Sequence, residues 1–587
     1  MIKILRYLSP REWLMALASL AFIVTQVWME LSIPEYMAEI TTLVKTPGSA
    51  MADIWLAGSM MLAFTMGSLL AAIVVGFFAA MIGARFSRRI RSLLFNKVDS
   101  FSMEEINNFS TDSLITRSTN DITQVQMLIT MGLTVIIRAP IMAVWAITKI
   151  AGKGLDWTAA TGGAVAVLLV TIVIVLRLAV PKFRLMQGLI DNINRVTREN
   201  LTGLRVVRAY NAEGYQEAKF EKANTELTNT HLFTGRTMSV MMPMMTLIMS
   251  GMTLAIYWIG AHLIDAAQVA DRLPVFANMV VFSNYAVQVI MSFMMLVMIF
   301  FMAPRAQVSA KRILEVLDTE PTILDGTETD GPADKKGEVS FNSVNFKYPD
   351  AANYMLEDIS FTAKQGETVA FIGSTGSGKS TLVNLIPRLF DATEGEVFVG
   401  GINTKDYTLE ALRNKIGYVS QKAVLFKGTV MSNVALGSNG SEEYSQDDVK
   451  KAVAIAQAGD FVEAMEGGYQ ADITQGGTNV SGGQKQRLSI ARAVCRKPDI
   501  YIFDDSFSAL DYKTDRELRS ELKKQTSGVT SLIVAQRIGT IIDADKIIVL
   551  DQGKIVGTGR HRELLQTCEV YRQIATSQLS EEELAKN

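Results

Sequence analysis

Three stretches of this chain run without a single charged side chain: residues 54–84, 237–264 and 273–304. Each exceeds the roughly 20 residues that carry a helix across a bilayer. Hydrocarbon offers the backbone no hydrogen-bond partner, so such stretches fold as helices whose N–H and C=O groups satisfy one another. Six spans can be drawn on this basis, near 13–37, 54–82, 130–152, 157–179, 238–264 and 273–303. Lys3, Arg6 and Arg11 ahead of the first apolar run imitate a signal peptide. Five further spans and the lack of a small-residue cleavage site argue against that. Residues 1–10 read instead as a short amphipathic helix on the inner membrane surface.

Basic residues set the orientation. Residues 85–126 carry Arg85, Arg88, Arg89, Arg91, Lys97 and Arg117, and residues 181–236 carry nine more. The connections near 38–52, 150–156 and 265–272 carry almost none. Both long loops, both termini and the polar second half are therefore expected in the cytosol, with the chain in a cell inner or plasma membrane. A net charge of −2 offers no basic field for nucleic acid. The two cysteines, Cys495 and Cys568, both lie in the cytosolic half, which excludes a disulfide framework.

The two long cytosolic segments read as helices continuing out of the membrane, interrupted by short pieces at 103–113 and 200–212. The predicted fold is an all-α transmembrane six-helix domain with cytosolic helical extensions (1–318). A Gly-, Pro- and Thr-rich acidic linker (319–337) and an α/β P-loop domain (338–587) follow, the latter from its alternating strands and helices. No repeat or low-complexity tract is present.

"GSTGSGKST" follows the apolar strand 368–372 and opens a helix, which is the context a phosphate-cradling loop requires. Gly373, Ser374, Thr375, Gly376, Ser377, Gly378, Lys379, Ser380 and Thr381 compose it. Its glycines free backbone N–H groups for phosphate, Lys379 reaches the phosphates and Ser380 suits Mg2+. "VSGGQKQR", residues 480–487, starts a second helix with Ser481, Gly482 and Gly483, a second anion site. One nucleotide cannot use both from one chain if they face apart, which suggests two subunits clamping ATP head to tail. The strand 500–503 ends on Asp504 and Asp505, acids suited to a magnesium nucleotide.

The order Tyr348, residues 373–381, Gln421, Ser481–Gln484, Asp504 and Asp511 resembles an ATP-binding cassette (ABC) exporter half-transporter over nearly the whole chain. "ENLTGLRVVRAYNAE", residues 199–213, is similar to that family's second coupling segment. The resemblance implies ATP and Mg2+ as ligands. It implies that Tyr348 stacks on adenine, although strand packing would equally use a tyrosine there. It implies that Gln421 touches magnesium beside Ser380 and Asp504. Ser481, Gly482, Gly483 and Gln484 would grip the γ-phosphate of a nucleotide held by a partner, and Asp511 would line the interface between cassettes.

Two positions depart from the family pattern. Asp505 stands where a glutamate orients the attacking water, and Gln536, in "LIVAQR", stands at the switch position of a histidine. His231, His262 and His561, the only histidines, match none of it. A catalytic group misplaced by about 1 Å can cost roughly 10²-fold, and losing general-base help costs on the order of 10²–10⁴-fold. Gln536 can hydrogen-bond a γ-phosphate but cannot carry its proton. With the signature intact, this resembles the degenerate subunit of heterodimeric bacterial multidrug exporters. The expected partner is a homologous half-transporter with an intact catalytic site, and the expected own site, built on Asp505, Gln536 and Gln421, is slow.

Methionines crowd spans five and six, from Met238 to Met252 and from Met291 to Met302. Thioethers adapt to varied apolar ligands, but bundle packing uses them too. Glu30 and Arg138 interrupt spans one and three. Charges within a span mark function by default, and for Arg138 a place near the inner headgroups is the alternative. No cysteine-protease extension precedes the first span, which disfavours leader-cleaving peptide export. Amphipathic small molecules lead the substrate classes. A lipid or peptide exporter, or an ATP-sensing subunit that gates a membrane partner, are the alternatives.

Overall fold

The computed structural model describes residues 2–46, 48–151, 154–269, 271–349, 351–437, 444–525 and 528–579, without the side chains of 2, 184, 297–301 and 512. The side chain of Met298 and the end of the cassette beyond 579 thus lie outside what is described. The chain divides into two compact units, Met1–Asp99 with Asp112–Thr319, and Ser100–Thr111 with Glu320–Asn587.

Among the described residues, the first unit holds six helices long and apolar enough to cross a membrane: Pro10–Lys45, Met51–Asp99, Thr111–Ala151, Leu155–Thr202, Glu213–Ala266 and Arg272–Leu296. The sixth is the central one. Half of its most apolar window is buried, against 17% for the second helix, whose Leu62, Leu69 and Ile73 face outward. Outward apolar side chains fit a bilayer as solvent. The expected helix over 1–10 is in fact one turn, Ile2–Leu5. Ser9 and Glu12 form a reciprocal capping box with Pro10 at the first helical position, so the long first helix nucleates there instead.

Helices in apolar surroundings are tied by their few polar groups. Tyr285 Oη donates to the Leu31 carbonyl at 2.7 Å, and Trp157 Nε1 to the Ile256 carbonyl at 3.1 Å. Glu30 pairs with Arg138 at 2.7 Å and Glu35 with Lys149 at 2.8 Å, joining the first and third helices. The third helix is wound as π-helix over Arg117–Asp121 and Gly132–Ile136. The first of these turns lets Arg117 reach Glu315 at 3.0 Å and Asp121 accept from Ser309 at 2.7 Å on the sixth helix, which continues to Asp318. Met245 and Met252 are buried and Met242 faces outward, so the methionines of span five divide between packing and periphery.

In the second unit, a six-stranded sheet runs in the order Lys554–Gly559, Lys546–Asp551, Thr368–Gly373, Thr530–Val534, Ile500–Asp504, Ile416–Val419. All pairings are parallel except that of the first edge strand. Alternate residues enter two cores. Val369, Phe371, Ile500 and Ile502 pack with Leu382 and Val383 of helix Lys379–Leu385. Ala370, Ile372, Tyr501 and Phe503 pack with Leu488 and Ala491 of helix Gly482–Cys495. The period of two therefore places the phosphate-loop helix and the signature helix on opposite faces of one sheet. A four-stranded antiparallel sheet, Leu356–Ala363, Val339–Phe346, Glu394–Val399 and Ile402–Asn403, completes the unit.

The stretch expected as a linker is laid against the cassette. Backbone N–H groups of Thr327 and Glu328 donate to the Asp406 carbonyl, and Asp330 pairs with Lys415 at 2.8 Å. Its glycines serve close approach, since a Cβ on Gly331 would stand 2.0 Å from the Gly400 carbonyl oxygen. Helix Met103–Phe109, capped by Ser102 and Glu105, belongs to the same unit, and Glu105 Oε1 accepts from the Thr322 N–H at 3.0 Å.

Candidate nucleotide site

Four adjacent parallel strands end at one edge of the sheet, where ligands of open α/β folds bind. In spatial order their C-terminal ends supply the phosphate loop after Gly373, Gln536 after Val534, the pair Asp504–Asp505, and Gln421 after Val419. Residues scattered over 160 positions thus meet because neighbouring strands lie roughly 5 Å apart.

The loop turns on Gly376 and Gly378, whose φ values of 82° and 94° suit glycine. Lys379 Nζ lies at its centre, donating to the carbonyls of Gly373 at 2.9 Å and Ser374 at 2.7 Å. Burial lowers the Lys379 pKa, opposed by Asp505 and Asp504. Ser380 Oγ donates to Asp504 Oδ1 at 2.8 Å. Burial pushes the Asp504 carboxyl above the usual range; that Ser380 hydrogen bond pulls it down and Asp505 raises it further. The oxygens of Ser380 and Asp504 at this distance are hard donors of the kind Mg2+ takes when phosphates and water complete its shell, while Gln421 turns its amide nitrogen to Asp505.

Asp505 departs from an ordinary strand end. Its φ of 46° is left-handed, and its N–H donates to the Val534 carbonyl at 3.0 Å. Its Oδ2 accepts from Gln536 Nε2 at 2.8 Å and from Gln421 Nε2 at 3.4 Å. Burial also raises this carboxyl, against hydrogen bonds from Gln421 and Ser508. Sequence reasoning placed all three residues but missed Gln578. That side chain, from the C-terminal helix Glu569–Gln578, donates to the Gln536 carbonyl at 2.8 Å and accepts from the Ile538 N–H at 2.9 Å. No motif marks it.

Tyr348 Oη lies 3.0 Å from Thr381 Oγ1, and its ring meets Phe346 and Phe390 edge-on. Ser481 and Gln484 bond reciprocally as the capping box of their helix, with Ser481 and Gly482 exposed. Among the described residues, no hydrogen bond joins 481–484 to the phosphate loop. Asp511 caps the following helix by accepting from the Thr514 N–H at 3.0 Å, which holds its pKa low.

Residues 356–508 match the family model described as ABC transporter, and residues 16–303 match that of the ABC transporter transmembrane region. The chain belongs to the ABC transporter family. This ABC half-transporter is 40% identical to an uncharacterized ABC transporter ATP-binding protein of Mycobacterium tuberculosis, over 98% of this chain and 97% of that one. It is 35% identical to the uncharacterized ABC transporter ATP-binding protein YfiB of Bacillus subtilis, over 99% of each. An ATP-dependent lipid A-core flippase of Pseudomonas fluorescens is 32% identical over 77% of this chain and 74% of its own. The solved structure of a bacterial Atm1-family ABC exporter with ATP bound superposes with a TM-score of 0.79 at 23% identity, covering 97% and 99% of the two chains, which shows the shared fold. The ABC half-transporter is thus an ATP-hydrolysing, multi-pass membrane protein with a cytosolic cassette.

Proposed function

We propose that this chain is the slow-site half of a heterodimeric exporter of amphipathic molecules. The observation that carries the reading is the capture of Asp505 Oδ2 by two amides, Gln536 and Gln421, neither of which can accept a proton in exchange. A carboxylate already shorter than glutamate is further committed away from an attacking water. The opposite-face placement of helices Lys379–Leu385 and Gly482–Cys495 supports the companion half of the proposal. The loop and the signature of one chain then serve different nucleotides, and Ser481, Gly482 and Gly483 complete the partner's fast site.

Asp504, Ser380 and Gln421 would hold Mg2+, which supplies charge neutralisation to the phosphates. Lys379 and the loop amides would bind the β- and γ-phosphates, and Tyr348 would face the base. The test compares ATPase turnover of the purified chain alone with that of its complex with a homologous half-transporter bearing glutamate and histidine at the two positions. Turnover barely above background alone and robust turnover in the complex is expected. Robust turnover by the homodimer sinks the reading.

A further inference from the structure

The Glu30–Arg138 pair does more than join two helices. It lines a cavity of about 320 Å³ with Gln288, Pro34, Met142, Met291 and Met295, within the size range of small-ligand sites. Both charged side chains are about a quarter exposed, at 24% and 25%. Arg138 uses one nitrogen, Nη2, for both Glu30 oxygens at 2.7 Å. Its Nη1 and Nε have no hydrogen-bond partner among the described residues.

Two backbone irregularities converge here. The π-helical turn Gly132–Ile136 ends just before Arg138, and such turns collect at functional sites. Pro34, which lines the cavity, lacks the N–H that would bond the Glu30 carbonyl one turn back.

Net charge decides what fits. The pair is neutral overall, so a ligand with a net charge would bring an uncompensated ion into a low-dielectric site. A ligand whose head group carries both signs adds none, and its dipole can lie antiparallel to that of the pair. We propose that this cavity binds the head group of a zwitterionic amphiphile, its cationic group against Glu30, its anionic group against the unused edge of Arg138, and its apolar chain along the three methionines. This rests on the export reading for its purpose, and on the cavity alone for its chemistry.

The test uses the full chain in nanodiscs of phosphatidylglycerol, with empty discs as the blank, and equilibrium dialysis of three probes: hexylphosphocholine, hexyltrimethylammonium and hexyl phosphate. Hexylphosphocholine should bind at least about tenfold tighter than either charged probe. Glu30→Gln should move the preference to hexyl phosphate, and Arg138→Gln should move it to hexyltrimethylammonium. A gain for a new probe needs a folded cavity, so misfolding cannot imitate it. A wild-type preference for a charged probe, or a ranking that neither variant changes, overturns the proposal. Given probe binding, displacement in phosphatidylcholine discs assigns the ligand to the bilayer, and its persistence there assigns it to solution. If the ranking switches but the complete transporter drives no amphiphile efflux with ATP, the site stands and the export reading falls. Efflux with an unmoved ranking removes the site and leaves export standing.

Discussion

Gly482 and Asp505 separate the two nucleotide roles at the level of single side chains. A Cβ at Gly482 would meet nothing within 4 Å, so substitution there spares the fold. We predict that Gly482→Asp abolishes most ATPase activity of the mixed complex, because a carboxylate at the helix N-terminus would oppose the partner's γ-phosphate. Asp505→Asn should cost far less, since Gln536 and Gln421 already occupy the oxygen it alters. Turnover of the two mutant complexes decides between them, and greater damage from Asp505→Asn would make Asp505 the working base. Protons give a second handle. Asp504 and Asp505 both titrate above the ordinary carboxylate range, chiefly through burial. The folded state therefore favours their protonated forms, and the stability this contributes is lost as pH rises from the ordinary to the raised value. Magnesium needs the anion, so MgATP affinity should rise over the same interval with proton release. Calorimetry in two buffers of different ionisation enthalpy should give different heats; equal heats would remove the claim.

Elements show where a sequence pattern underdetermines packing. Residues 319–336 have the composition of a linker, yet they lie along the cassette through the backbone of Gly326, Thr327 and Glu328. Composition reports that a stretch lacks periodic apolar residues; it does not report that backbone groups find partners in the turn at Asp406 and Tyr407. Gly331→Ala should therefore destabilise the cassette by about 1–3 kcal/mol, because the added methyl collides with the Gly400 backbone. Thermal unfolding of the full chain measures this, and an unchanged midpoint would mean that the contact yields. The third span teaches the same lesson. Its apolar content gave a helix, but the π-helical turns at Arg117–Asp121 and Gly132–Ile136 follow from polar partners on other helices, which no local window contains.

For the whole molecule, the proposal turns on two sites built from two chains. A homodimer would hold two copies of the Asp505–Gln536 arrangement, losing on the order of 10²–10⁴-fold in general-base help at each. The double change Asp505→Glu with Gln536→His should raise homodimer turnover well above that of the wild-type homodimer, because each copy already carries a good signature. ATPase assay of the repaired chain measures this, and no gain would place the defect elsewhere than in these two residues.

The sequence by itself determined the six spans, because a backbone in hydrocarbon has no partner but itself, and uncharged length is written along the chain. It also marked the loop 373–381, the helix start at Ser481–Gln484 and the acids ending strand Ile500–Asp504 as the candidate site, because glycines, a lysine and carboxylates at fixed spacing suit phosphate and magnesium chemistry. Tertiary structure alone decided that Gln578 steadies Gln536, that Tyr285 and Phe282 are core, and that Glu30 pairs with Arg138 at the wall of a cavity. The physical reason is range. Spacing records what one segment does within a few turns, whereas a partner 108 residues away is chosen by how helices pack.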